Sequence, residues 1–334
     1  MEILKTQPGG NSFHWFQNFP DEIYPPGHHR FNQADNINTD FLDSCFVLLE
    51  NRKVQARAAL YHNTNLQYRQ HQSWCIGNYE AKENPEAGKL LLLHIMEEAR
   101  TAGARYILGP MNGSTWDNYR FQLESPNPDF FMEPVHHQYY HEHFRRAGFS
   151  PIASYFSCID RELKFDDPAI SALENDFKMK GVRFRNIRPE AFEQELEKIY
   201  HFNAIAFQNN FLFTPVSPEA FLDKQSGLKN VIMPEFTILA EDRNQDLIAY
   251  FFCIEDFLNT KEKCLIVKTL ARHPDDQWKG LGHVIGNMIY ERATAKGYTS
   301  IIHALVYEGG TSIQLSKNFS GENYKNYVLY GSKI

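Results

Sequence analysis

The stretch that decides the fold is Cys264-Leu-Ile-Val-Lys-Thr-Leu-Ala-Arg272-His-Pro-Asp-Asp276-Gln277-Trp278-Lys279-Gly280-Leu281-Gly282-His283-Val-Ile-Gly286. An apolar strand through Leu270 runs into a turn, and an amphipathic helix starts at once. The glycines of such a turn allow positive φ and keep side chains away from the backbone. Several backbone N–H groups then converge at the positive end of a helix, a geometry that binds phosphate or pyrophosphate. Lys279 adds a cation, and His283 sits in the first helical turn.

Rival readings of the same residues are weaker. Gly280-x-Gly282-x-x-x-Gly286 is one residue too long for the dinucleotide fingerprint, and Ser300-Ile-Ile-His303 stands where an acidic residue should close the next strand. No Gly-Lys-Ser/Thr follows, so the phosphate loop of nucleotide hydrolases is absent. A plain turn before a helix remains open.

Working outward, Phe236–Glu241, Leu247–Ile254 and Lys263–Ala271 read as strands, with a turn at Asp242-Arg-Asn-Gln245. The helix Leu281–Ala295 repeats Val284, Ile285, Met288, Ile289 and Ala293 at helical spacing, Gly297 stops it, and a strand follows at Thr299–Leu305. The first half repeats this order: strands Phe46–Leu49, Val54–Tyr61 and Ser73–Tyr79, a helix over Gly88–Ala102, the stop Gly103 and a strand Tyr106–Leu108. Gly103 and Gly297 stand as far apart in the chain as Ile107 and Ile301, so the halves read as structural copies. The boundary falls in the charged stretch around Asp166-Asp167-Pro168, giving residues 1–165, a linker 166–181, and 182–334. A strand Val182–Ile187 opens the second unit, and Arg188-Pro-Glu starts its first helix. The N-terminal stretch through His29 reads as irregular and surface-laid.

With 334 residues, the chain suits two domains of roughly 150 each. Its net charge of -7 and the lack of a basic stripe argue against nucleic acid. No run approaches the roughly 20 apolar residues of a membrane helix. Met1-Glu-Ile-Leu-Lys-Thr-Gln-Pro-Gly-Gly10 lacks the apolar core of a signal peptide. Cys45, Cys75, Cys158, Cys253 and Cys264 are scattered in apolar strands and have no metal spacing. The expected address is the cytoplasm.

The turn resembles motif A of the GNAT superfamily of N-acetyltransferases, Gln/Arg-x-x-Gly-x-Gly/Ala, here Gln277-Trp-Lys-Gly280-Leu-Gly282, in the order strand, loop, helix, Gly, strand. The likeness covers nearly all of residues 182–334. Gly109-Pro-Met-Asn-Gly-Ser114, His137-Gln-Tyr-Tyr140 and Ile302-His-Ala-Leu305 are reminiscent of a group of tandem GNAT-like proteins. The resemblance implies an α/β fold of two tandem GNAT-like domains, each a mixed β-sheet flanked by helices. It also implies acetyl-CoA as co-substrate, with the amides from Trp278 to His283 on its pyrophosphate. The backbone of Leu270 and Arg272 would pair with the pantetheine arm like an added strand, between strands that splay apart.

In the first half, Gln277, Gly280 and Gly282 fall on Glu83, Glu86 and Gly88 of Lys82-Glu-Asn-Pro-Glu-Ala-Gly-Lys89. Two carboxylates would face an anion, and Pro85 removes a donor, so this copy is expected to bind no coenzyme. Its stretch from Gly109 to His136 reads as a lid or pocket wall. His136-His-Gln-Tyr-Tyr-His141-Glu-His143 lacks the glutamate of a zinc protease and reads as a helix face stopped by Gly148. The family's general-acid tyrosine would fall near Phe144 in this copy. In the second, it would fall in Thr311–Phe319, which offers Ser312, Ser316 and Asn318 but no tyrosine. His303, mid-strand beside the splay, is the candidate base, with Glu255, Asp256 and Glu308 behind it. The expected reaction is direct attack of a small-molecule or peptide amine on acetyl-CoA. A silent CoA-binding or structural module is the alternative, and a larger acyl donor is a third. Net acidity favours a cationic amine.

Overall fold

The computed structural model describes residues 1–28, 37–310 and 321–334. The chain opens with β1 (Glu2–Thr6) and α1 (Phe13–Ile23). Here the structure corrects the sequence reading of an irregular start. β1 pairs along β2 (Leu42–Glu50), and α1 buries Phe16 and Phe19, which share a face because they lie three residues apart.

β2, β3 (Lys53–Tyr61) and β5 (His71–Ala81) follow as antiparallel neighbours, with β4 (Gln67–Tyr68) hairpinned onto β5. The crossover helix α2 (Pro85–Thr101) then returns β6 (Tyr106–Gly109) parallel to β5. After β7 (Phe121–Gln122), α3 (Tyr140–Arg146) and β8 (Ser150–Asp160), the charged stretch read as a linker folds as α4 (Pro168–Met179).

The second half repeats the plan. β9 (Arg183–Asn186) leads through a short turn of helix at Pro189–Ala191 to α5 (Phe192–Ala206) and α6 (Pro218–Ser226). β10 (Thr237–Glu241), β11 (Leu247–Glu255) and β12 (Cys264–Arg272) are antiparallel, and α7 (Leu281–Ala295) returns β13 (Ser300–Tyr307) parallel to β12. Gly103 (φ +95°) and Gly297 (φ +77°) end the two crossover helices in the left-handed conformation.

The halves exchange strands. The last strand, β14 (Glu322–Lys333), lies between β6 and β8, while β8 pairs with β13 on its other side. The sheet therefore runs β1-β2-β3-β5-β6-β14-β8-β13-β12-β11-β10-β9 without a break. α4 and α7 cover one face of its second part, and α5 and α6 the other. Both faces being covered, β11 and β12 read as near-continuous apolar runs. Leu281, Val284, Ile285 and Ile289 of α7 are fully buried, each contributing about 1.5–3 kcal/mol. No helix among the described residues is long and apolar enough to cross a membrane.

Candidate functional site

Two irregularities open the sheet between β12 and β13. Their parallel pairing covers Cys264–Val267 against Ser300–His303 and stops there, although both strands continue. On β12, Cys253 faces Val267 and Phe252 faces Thr269, so Lys268 is the extra residue of a β-bulge. On β13 the register against β8 shifts between His303 and Val306, with Leu305 at φ +61°. Leu305 N–H donates to Ser157 Oγ (3.0 Å), and the Arg120 guanidinium donates to its carbonyl (3.2 Å). Bulges bend their strands, and these two flank a fork.

One arm of the fork offers a backbone edge. His273 N–H donates to Ile248 O (2.8 Å), and antiparallel ladders alternate bonded and outward-facing residues. Leu270 and Arg272 therefore turn their N–H and C=O groups away from β11, toward the gap.

At the outer end, Asp275 caps a single helical turn at Asp276–Trp278 by accepting from Gln277 N–H (2.9 Å), and the Gln277 amide also donates to it (3.0 Å). Trp278 and Lys279 N–H donate to Asp275 O and Asp276 O, and His283 N–H to Gly280 O. The N–H groups of Gly280, Leu281 and Gly282 find no acceptor among the described residues. Gly280 caps α7 at φ +100°, and a Cβ there would lie 2.6 Å from Leu173 of α4. The donor cluster expected over Trp278–His283 is thus narrowed to three successive amides at a helix N-terminus. Lys279 is exposed beside them, and burial lowers the pKa of His283.

Beyond the fork lies a cavity of about 700 Å³, on the α5–α6 face. Leu270 and His303 line it; the residues from Gln277 to His283 do not. Its far wall comes from the first half, through Asn112, the residues from Thr115 to Arg120, Met132 and Pro134, within the stretch read as a pocket wall. Sequence reasoning passed over its most unusual residue, Lys268. Val267 and Leu270 pack in the cluster covered by α7, and the bulge between them brings Lys268 and Thr269 into the cavity lining. Lys268 is half-buried and lines the cavity. Burial, and then the nearby Arg120, bring its pKa down to about 8. One signal was a lysine directly after the apolar run Leu265-Ile-Val267.

His303 faces the last paired position of β12, Val267. Its Nε2 lies 2.8 Å from Tyr290 Oη, and Tyr290 donates to Asp160 Oδ2 (3.2 Å). Burial brings the imidazole pKa down to about 4, so it is neutral near pH 7. The other carboxylates lie apart. Asp256 accepts from Phe131 and Leu258 N–H, Glu255 accepts from Tyr298, and neither lines the cavity. Glu308 is exposed. Ser312, Ser316 and Asn318 lie outside the described residues.

In the first half the corresponding fork is filled by the chain itself. β5 and β6 pair over Ser73–Cys75 and Tyr106–Leu108, and Met111 N–H then donates to Ile76 O (2.8 Å). Asn112 accepts from Asn78 N–H (2.8 Å), at this strand's own bulge. Asn84 caps α2 by accepting from Ala87 N–H (3.2 Å), Pro85 has no donor, and a Cβ on Gly88 would lie 2.4 Å from His143. Of the histidine-rich segment read as a helix face, only Tyr140–His143 is helical, as the start of α3, with Gly148 (φ +92°) beyond its end; His136–Tyr139 precede the helix. Among the described residues no group of three His, Cys, Asp or Glu side chains could hold a metal.

No protein-family model and no curated relative matches the sequence. Solved structures do. A tandem GNAT protein from the clavulanic acid biosynthesis pathway, solved without acetyl-CoA, superposes with a TM-score of 0.52 at 10% identity, covering 99% of this chain and 98% of that one. This chain has the tandem GNAT fold. A GCN5-related N-acetyltransferase from Anabaena variabilis gives 0.58 at 10% identity, over 99% of this chain and 72% of that one. The GCN5-related glucosamine N-acetyltransferase region of a fungal multi-domain GH3 β-N-acetylglucosaminidase gives 0.58 at 14% identity. It covers 99% of this chain, which spans 38% of that larger protein. At such identities the likeness reaches the GNAT fold and stops short of the reaction.

Proposed function

We propose that the second half binds acetyl-CoA and passes its acetyl group to an amine held in the cavity. The observation that carries the reading is the fork between β12 and β13, with three unpaired amides at its outer end and a cavity at its inner end. Gly280, Leu281 and Gly282 N–H would hold the pyrophosphate at the positive end of α7, with Lys279 beside them. Gln277, Trp278 and His283 shape that turn. Leu270 and Arg272 would pair with the pantetheine amides, bringing the thioester toward Val267 and His303.

The neutral amine attacks the thioester carbonyl, the C–S bond breaks, and the proton lost by nitrogen ends on the CoA sulfur. His303 is the candidate base. Its weak basicity suits the acidic ammonium of the tetrahedral adduct rather than a free alkylammonium ion. Five buried free cysteines fit a reducing compartment such as the cytoplasm.

Calorimetry with acetyl-CoA, followed by a thiol-release assay over a panel of amines, tests the reading. It expects binding and release with at least one amine. No binding of any CoA thioester would sink it. Binding without release from any amine would leave a silent module, and a series of longer thioesters would report the acyl length.

A further inference from the structure

The charge of the cavity narrows the acceptor, given the acyl-transfer reading above. Among the described residues its charged lining is Asp117, Arg120, Lys224 and Lys268, three cations against one carboxylate, in a chain of net charge -7. Asp117 is already engaged: Lys224 pairs with it, and Asn38 and Ser114 donate to it at 2.8 Å each. Arg120 is sandwiched between Tyr119 and Tyr155, at 3.8 and 4.3 Å from the ring centroids, and donates to Leu305 O. Lys268 makes no hydrogen bond or ion pair among the described residues. Glu133, the carboxylate that acts on it, is already held by Lys325 and Tyr327, and burial outweighs its pull, so the ammonium stays costly and its pKa is lowered.

We infer that Lys268 anchors an anionic group of the acceptor, and that the acceptor is an α-amino carboxylate with a bulky apolar side chain. Three placements lead there. The bulge seats Lys268 on the acceptor face, not on the α7 face where the pyrophosphate turn lies. It directly follows Val267, the last paired residue before the fork, so an anion held by Lys268 sits close to the reacting carbonyl. An α-carboxylate is one carbon from its amine and meets that requirement. Phe192, Phe221, Tyr250, Phe252 and Trp116 line the same space and suit an aromatic or large aliphatic body. The cationic lining also disfavours the ammonium form of the acceptor, which is the form that cannot attack. Net chain charge suggested a cationic amine; the charge lining the cavity points the other way.

The test measures binding to the full chain by calorimetry, using L-phenylalanine and 3-phenylpropanoate as carboxylates and 2-phenylethylamine as the amine without one. Wild type should prefer the carboxylates by at least about 10-fold, the worth of one charge-assisted hydrogen bond. Lys268→Arg should keep the preference and Lys268→Met should lose it. Equal binding of all probes to wild type, or a preference that survives in Lys268→Met, would overturn the inference. Acetyl-CoA titrated in parallel should bind Lys268→Met as it binds wild type. Failure of acetyl-CoA to bind wild type would end the acyl-transfer reading while leaving the carboxylate preference to be judged separately.

Discussion

Replacing Gly280 with glutamate should weaken acetyl-CoA binding by well over an order of magnitude while leaving the fold largely intact. At φ +100° a non-glycine residue costs about 1–2 kcal/mol, and the new Cβ must displace the Leu173 methyl now 2.6 Å from its position. Leu173 is the tip of a flexible side chain, and a carboxylate at a helix N-terminus returns about 0.3–1 kcal/mol, so the free protein loses little. The ligand loses more. The turn is half-exposed, so the effective dielectric lies between roughly 20 and 80, and each phosphate charge about 5 Å from the carboxylate costs about 1–3 kcal/mol. Two charges make a loss of at least about 2 kcal/mol, or roughly 30-fold in affinity. Gly280→Ala is the control: it carries the same backbone strain without the charge and should bind far better than Gly280→Glu. Calorimetry reads the affinity, and melting with and without acetyl-CoA reads the fold. Binding to Gly280→Glu as tight as to Gly280→Ala would refute the placement of the pyrophosphate.

Two further predictions concern stability. Lys325 of β14 is buried and bonds Asp129 (2.5 Å) and Glu133 (2.8 Å), tying the exchanged strand to the loop that walls the cavity. Lys325→Met leaves Glu133 buried without its counter-ion and should cost about 3–5 kcal/mol in denaturant unfolding, with part recovered in Lys325→Met/Glu133→Gln; a loss below 1 kcal/mol, on the order of a surface pair, would count against it. His143 and His303 are buried, and desolvation lowers each to a pKa of about 4. The unfolded chain, with histidines near 6.5, binds protons that the folded chain refuses as pH falls from 6.5 toward 4. Stability should drop by about 2 kcal/mol per histidine between about pH 7 and pH 5. Denaturation at both pH values checks this, and a flat profile would mean the rings accept protons in place.

Much of the second half was legible because local rules decide it. Gly280, Gly282 and Gly297 bracket a run with helical spacing, and α7 occupies Leu281–Ala295 as read. The first-half fork was readable in part from Pro85 and Glu86, but its filling by Met111 and Asn112 is a tertiary fact. α4 was missed because Phe177 is its only buried residue, so the segment has a linker's composition. α1 was missed because Pro20 and the glycines around it outweighed Phe16 and Phe19. The exchange of β14 and β8 depends on pairings between distant segments, which no local pattern encodes. Besides a lysine following an apolar run, Lys268 left a second trace: Val267 and Leu270 share a face three residues apart, a break in the two-residue period that marks a bulge.

Acetyl-CoA binding as proposed requires a coenzyme pyrophosphate on the amides that open α7. Titrating acetyl-CoA into protein isotope-labelled at glycine and leucine nitrogens tests it directly. The amide resonances of Gly280, Leu281 and Gly282 should move in a saturable way while those of Gly77, Gly88 and Gly109 stay still. Movement confined to the first-half glycines, or none at the start of α7, would contradict it.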